Sequence, residues 1–255
     1  MKPRTLILRT AGTNCDLETA AAFESAGSTA DRIHLNRILD NPAVLDDYQI
    51  LAIAGGFSYG DDIAAGRILA NQITHHLREP LRRFVEADKC VIGICNGFQV
   101  LAKTDLLPGG LAGQGGQTAT LTHNDCGRFV CEWVPLRAVG SKCVWTAGLG
   151  DIELPIAHGE GKFLPQSDAV LQSLKDADQI ALVYAGANPN GSAADVAGVC
   201  DSTGRVFGLM PHPERYVSAL QHPAWTSRGD DGEGPGLAMF RNAVRYAQQA
   251  AGAGV

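Results

Sequence analysis

Cys95 lies in Gly93-Ile94-Cys95-Asn96-Gly97, directly after the apolar run Cys90-Val91-Ile92. A strand ending in this pattern throws one side chain up on a tight turn, with glycines two before and two after where a Cβ would clash. It is a nucleophile elbow with cysteine in place of serine. The helix that opens at Asn96 points its free N–H groups and positive dipole end at the sulfur, which favours the thiolate. A cysteine nucleophile needs a base, and the base needs a partner to fix its tautomer. His212-Pro213-Glu214 offers both. Residues two apart in an extended segment project to one side, so His212 and Glu214 are expected side by side at a strand end. Pro213 helps by holding His212 in the extended region. Gly55-Gly56-Phe57 is the third element: paired glycines at a strand end turn backbone N–H groups toward a bound carbonyl. One of them, with the Asn96 N–H, would form an oxyanion hole. Each of the last two segments taken alone reads equally as a surface turn or a tight strand-to-helix connection.

Such groups need elements to hold them. Thr5 to Leu8, a helix-like segment from Asp16 to Ala26, and Thr29 to Leu35 set a βαβ rhythm. Gln49 to Ala54 reads as a strand ending in Gly55-Gly56, Asp62 to Leu77 as a helix, and Lys89 to Ile94 as the strand carrying the nucleophile. Strands apolar on both faces and separated by helices imply a parallel sheet covered on both sides. The architecture expected is α/β, a flavodoxin-like three-layer sandwich whose active site lies at the carboxyl ends of the strands.

After Leu106 the rhythm breaks at Leu107-Pro108-Gly109-Gly110 and a Gly/Gln/Thr-rich stretch to Thr120. Shorter strand-like pieces follow at Phe129 to Val134 and Ile152 to Ala157, read as antiparallel excursions from one domain. Gln179 to Tyr184, Val196 to Cys200 and Val206 to Met210 look like consecutive strands, the last delivering Pro211-His212-Pro213-Glu214. The acidic, Gly-rich segment 222–236 reads as a mobile loop before a closing helix, Leu237 to Ala250. Neither a repeat nor a linker divides the chain, so residues 1–255 are expected to form one domain.

A net charge of -6 with no basic block argues against nucleic acid. No apolar run approaches the roughly 20 residues that span a bilayer, and the apolar part of the N-terminus is too short for a signal peptide. A cytoplasmic protein is expected. Seven irregularly spaced cysteines fit reduced thiols, the six besides Cys95 reading as packing residues. His123, Cys126 and Cys131 match no paired zinc spacing and lack an evident fourth ligand, so no metal is expected.

Three segments together, G-I-C-N-G-F-Q at 93–99, G-G-F-S-Y-G-D at 55–61 and M-P-H-P-E-R at 210–215, resemble the class I glutamine amidotransferases. Asn96, Phe98, Asn14-Cys15-Asp16, His158-Gly159-Glu160-Gly161 and Asn188-Pro189-Asn190-Gly191-Ser192 are similar to the members that serve phosphoribosylformylglycinamidine synthase. The resemblance covers nearly the whole chain. It departs at Asp62-Ile63-Ala64, where the family has an aromatic, a leucine and an arginine, at Thr10 to Thr13, and in the length of loop 229–236.

The resemblance implies hydrolysis of glutamine by Cys95, His212 and Glu214 through a γ-glutamyl thioester. It implies an oxyanion hole from Asn96 and the Gly55-Gly56-Phe57 turn, and a place for Gln99 near the substrate. It further implies no cofactor in this chain, with ATP and Mg on a large synthetase subunit that converts formylglycinamide ribonucleotide to formylglycinamidine ribonucleotide, often with a small third subunit. The chain itself carries no Gly-x-x-x-x-Gly-Lys-Ser/Thr phosphate loop. Two rival readings are a glutaminase serving another synthase and a stress-type cysteine hydrolase on a similar sheet; the His-Pro-Glu pair and Gln99 argue against the second.

Overall fold

The computed structural model describes residues 2–109, 116–229 and 231–252. In chain order it runs β1 (Arg4–Arg9), α1 (Asp16–Ser25), β2 (Thr29–His34), α2 (Leu35–Asp40), β3 (Ile50–Ile53), α3 (Arg67–Gln72), α4 (Arg78–Glu86), β4 (Cys90–Ile94) and α5 (Asn96–Lys103). It continues with β5 (Ala119–Thr122), β6 (Val130–Ala138), β7 (Asp151–His158), β8 (Lys162–Pro165), α6 (Asp168–Asp176), β9 (Ile180–Tyr184), β10 (Val196–Cys200), β11 (Val206–Leu209), α7 (Trp225–Arg228) and α8 (Gly236–Gly252).

Every residue of β3, β4, β10 and β11 is buried, so these strands have no solvent face to alternate toward. They stack in a nine-stranded sheet of order β2-β1-β3-β4-β11-β10-β9-β6-β7. The first five strands are parallel and follow the flavodoxin order. The chain moves one way from β1 to β2 and the other way from β3 to β4, so right-handed crossovers place helices on opposite faces. Phe23 of α1 meets Phe240 of α8 edge-on, centroids 4.9 Å apart. Asn96 to Ala102 in α5 are all buried, and Phe98 fills the space over Gly208, where a Cβ would approach its ring to 2.2 Å. No described helix is long and apolar enough to cross a membrane.

From β11 onward each pairing is antiparallel. Directions therefore alternate, and β7 runs the same way as β4, its carboxyl end at His158 arriving on the side of Cys95. The β6–β7 ribbon is paired over eight positions, but β6 meets β9 only through Leu136–Ala138. Its far half runs past the end of the β9 pairing and brings Ala157 O to 3.7 Å from the Cys95 sulfur, and β5 and β8 form a separate antiparallel pair.

The expected helix over Asp62 to Leu77 differs from the structure. Gly66 has φ 73°, a left-handed cap, so α3 starts only at Arg67, passes through a π turn at Ile73–Leu77 and continues as α4 to Glu86. The Asp61 carboxylate accepts the Gly66 N–H at 3.1 Å and holds that break. The strands expected near Phe129 and Ile152 are longer, and β5, β8 and α6 are additional. The Gly-rich stretch after Leu107 and the acidic loop fall partly outside the described residues, at 110–115 and 230.

Candidate active site

Cys95 has φ 52° and ψ -105°, a strained turn for a residue with a Cβ. Its N–H donates to Leu209 O at 2.8 Å, tying the elbow to the end of β11. Close packing explains the flanking glycines: a Cβ on Gly97 would lie 1.9 Å from Ile53 O, and one on Gly93 would lie 2.5 Å from Gly97 O. The sulfur lies 3.7 Å from Ala157 O, at the returning end of β7.

Three residues after β11, His212 Nδ1 sits 2.6 Å from Glu214 Oε1, and both side chains are buried. The route differs from the expected extended segment. Pro213–Arg215 form a 3-10 turn with Pro213 at its first position, closed by Arg215 N–H to His212 O at 3.2 Å. Glu214 comes back to the ring through this turn. Since an ionised carboxylate only accepts, Nδ1 carries the proton and Nε2 is left facing the thiols. Burial presses the His212 pKa down, but Glu214 first, then Cys95 and Cys15, outweigh it and leave the pKa raised well above its usual value. Nε2 makes no hydrogen bond of good geometry, as is common before substrate arrives.

Cys15 joins this group, which the sequence reading left among the packing cysteines. Its sulfur and the ligand atoms of His212 and Glu214 lie within 4.8 Å of one another. A Cβ on Gly55 would touch both, at 3.2 Å from the Cys15 sulfur and 3.0 Å from His212 Cε1. Burial raises the Cys15 pKa, against the pull of His212. The thiol donates to Asn14 Oδ1 at 3.2 Å, while Arg215 Nη2 reaches the sulfur at 3.1 Å and Arg215 Nε donates to Glu18 at 2.8 Å. The usable signal was Asn14-Cys15-Asp16 at the end of β1, a parallel strand, where sites gather.

The Gly55-Gly56-Phe57 turn does not offer its amides equally. Phe57 N–H donates to Gly12 O at 2.9 Å, whereas Gly56 has φ 140° and is packed so that a Cβ would fall 2.7 Å from Asn14 N. Gly56 thus presents the remaining amide. Asn96, as the first residue of α5, has a backbone N–H with no intrahelical acceptor. Its buried side chain is fully engaged, accepting from Ser58 N–H at 3.2 Å and donating to Asp61 at 3.1 Å and Gln99 Oε1 at 2.9 Å. Gln99 Nε2 donates to Glu160 O at 2.6 Å, clamping the loop after β7 to α5.

A cavity of about 190 Å³ opens over Cys95. Gly56 and Phe57 form one wall, Gln99 another, and Ala157 to Glu160 the roof. Phe57 and Phe129 stack at its mouth, centroids 6.4 Å apart. The predicted residues Cys95, Gly56, Phe57 and Gln99 meet here, with His212 and Glu214 beneath Gly55. His123, Cys126 and Cys131 are exposed and outside this group.

Residues 2–247 match the CobB/CobQ-like glutamine amidotransferase domain. The chain is 49% identical over 255 residues to a phosphoribosylformylglycinamidine synthase subunit PurQ of Dehalococcoides mccartyi, covering 97% of this chain and 99% of that protein. It is 44% identical to the subunit of the same name from Treponema denticola, covering 85% and 89%. Its fold superposes on a chain of PurLQS from Thermotoga maritima with a TM-score of 0.75 and 32% identity, over 96% of this chain and 99% of that one.

Proposed function

The chain belongs to the CobB/CobQ-like glutamine amidotransferase family and, within it, to the phosphoribosylformylglycinamidine synthase subunits, and from that premise we propose how its residues work. It hydrolyses L-glutamine to glutamate and ammonia, and the ammonia feeds conversion of formylglycinamide ribonucleotide to formylglycinamidine ribonucleotide. Residues 1–255 act as a single glutaminase domain. The observation that carries the assignment of roles is the buried His212–Glu214 pair beside a cysteine on a strained elbow, under a cavity that fits a small amide.

Glutamine lies with its side-chain carboxamide over Cys95. The thiolate attacks the amide carbon, and the negative oxygen is held by the Asn96 and Gly56 N–H groups; losing one such donor typically costs about 3 kcal/mol in barrier height. His212 passes a proton from Nε2 to the departing nitrogen as the carbon–nitrogen bond breaks, leaving a thioester and ammonia. The ring then takes a proton from water, which attacks the thioester and releases glutamate and the thiolate. Glu214 holds the tautomer throughout and stabilises the imidazolium.

Ammonia escaping to water would be protonated and lost as a nucleophile, so it must pass directly to an acceptor site. ATP, Mg and the ribonucleotide belong to a large synthetase subunit, and a small third subunit completes the assembly. The name PurLQS carried by the Thermotoga neighbour supports this reading. Cys95→Ala in the reconstituted complex should abolish glutamine-dependent synthesis and retain ammonia-dependent synthesis. Loss of both activities would show that Cys95 is structural.

A further inference from the structure

Glu214 holds the His212 ring at one corner only. A ring bonded through Nδ1 to Glu214 Oε1 can still swing about that bond, yet the chemistry needs Nε2 aimed first at the departing nitrogen and then at water. Another group must fill the space beside the ring. Gly55 leaves that space open: a Cβ there would lie 3.0 Å from His212 Cε1, the carbon between the two ring nitrogens, and 3.2 Å from the Cys15 sulfur. The sulfur and the imidazole edge therefore share one gap, with the sulfur within 4.8 Å of a ring nitrogen.

Cys15 is itself fixed at each of its polar atoms. Its N–H donates to Gly55 O at 3.2 Å, and its carbonyl accepts from the Thr19 N–H at 3.0 Å and the Thr19 hydroxyl at 2.6 Å. The thiol donates to Asn14 Oδ1 at 3.2 Å, which leaves sulfur lone pairs to accept from Arg215 Nη2 at 3.1 Å. Arg215 directly follows Glu214, and its Nε donates to Glu18 of α1 at 2.8 Å. One guanidinium thus braces the sulfur and ties the turn that carries Glu214 to the first helix. Cys15 is 1% exposed, and burial keeps its thiol protonated. It therefore neither competes with Cys95 as a nucleophile nor adds a negative charge beside Glu214.

We propose that Cys15 is a positioning residue of the glutaminase: its sulfur, braced by Arg215, is the wall that keeps the His212 ring aimed while Glu214 holds Nδ1. The inference deepens the reading of His212 as the proton carrier and rests on it. Cys15 touches no reacting atom and acts through the ring. Removing the wall frees the ring, so the penalty falls on turnover rather than on glutamine binding.

The test is steady-state kinetics in the complex with the synthetase subunits, with ammonia-dependent synthesis as the check that the complex has assembled. Cys15→Ala removes the wall and the acceptor for Arg215. Its kcat for glutamine should fall about 10- to 100-fold, the range for a misplaced catalytic group, with KM changed by no more than about threefold. Cys15→Ser keeps both hydrogen-bond partners and should recover most of the lost kcat. Arg215→Met should lower kcat in the same sense, and the double variant with Cys15→Ala should lose less than the product of the two single losses, because both act through one contact. A kcat for Cys15→Ala within about twofold of the unmodified complex, a loss confined to KM, no recovery in Cys15→Ser, or fully multiplicative losses would overturn the proposal. Where Cys15→Ala fails to assemble, Arg215→Met decides, and an unchanged kcat would count equally against the brace. If the unmodified complex releases no ammonia from glutamine, or His212→Ala keeps its rate, it is the glutaminase reading that fails, a distinct result.

Discussion

The parallel and antiparallel halves of the sheet contribute to the site in different ways. The parallel half ends in the elbow and, one strand over, in the His212–Glu214 turn, and everything that must hold an angle is buried there and tied to backbone. The antiparallel half sends out the β6–β7 ribbon, which supplies a roof of Ala157 to Glu160 joined to the floor by a few side-chain hydrogen bonds. Reactivity is thus assigned to the rigid core, and substrate fit to an attached ribbon. A nucleophile needs fixed geometry, whereas a pocket that admits and releases a ligand needs a part that yields.

The largest expected effect lies on the rigid side. Glu214→Gln leaves the shape intact but lets the imidazole adopt the wrong tautomer, and kcat should fall on the order of 10⁴-fold, as in triads generally. Steady-state kinetics showing a smaller loss than that of any roof variant would break the division. Gly97→Ala tests the same side through stability. Its Cβ would meet Ile53 O, and urea unfolding should show a loss of about 3 kcal/mol or more, in the range for overpacked backbone contacts.

On the roof, His158 stays neutral in the fold with its pKa near 4, while in the unfolded chain it titrates near 6.5. Between those values the unfolded state binds the extra proton, so this residue's contribution to stability is present above about pH 6.5 and is lost as pH falls toward 4. The loss reaches about 3 kcal/mol at most. His158→Asn should flatten the dependence of the urea midpoint on pH over that interval, and an unaltered slope would count against a buried neutral ring. The smallest effect is expected for Gln99→Ala. Releasing the Glu160 carbonyl should raise KM for glutamine about tenfold, or about 1.4 kcal/mol, with kcat held within a factor of a few. An equal fall in kcat would place Gln99 with the rigid half.

Much of the rigid half was readable from sequence because fully buried strands are continuous apolar runs, and because the elbow's glycines flank Cys95 at a fixed local spacing, although the contact that excludes a Cβ at Gly97 comes from Ile53 on the neighbouring strand. The turn that brings Glu214 back was misread as extended: Pro213 is compatible with both conformations, and only the Arg215 to His212 hydrogen bond decides. The delayed start of α3 depends on a side chain five residues upstream capping Gly66, which periodicity does not register. The roof was least legible. Whether β6 stays in the sheet or leaves it is set by three pairings with a strand more than forty residues later, and the approach of Cys15 to His212 joins residues nearly two hundred positions apart. The unequal amides of Gly56 and Phe57 likewise hinge on Gly12.

The ribbon's departure from the sheet has a consequence for motion. Strand pairing with the core stops at Leu136–Ala138, so opening the far half of β6 and β7 breaks the ties at Gln99, Pro155 O and Asn124 while leaving the other seven strands of the sheet intact. Such partial openings sit well below global unfolding on the free-energy scale. Amide protons of the floor are therefore expected to exchange only on global unfolding and those of the ceiling sooner, the pattern of a pocket that can come apart and re-form within the lifetime of one folded centre.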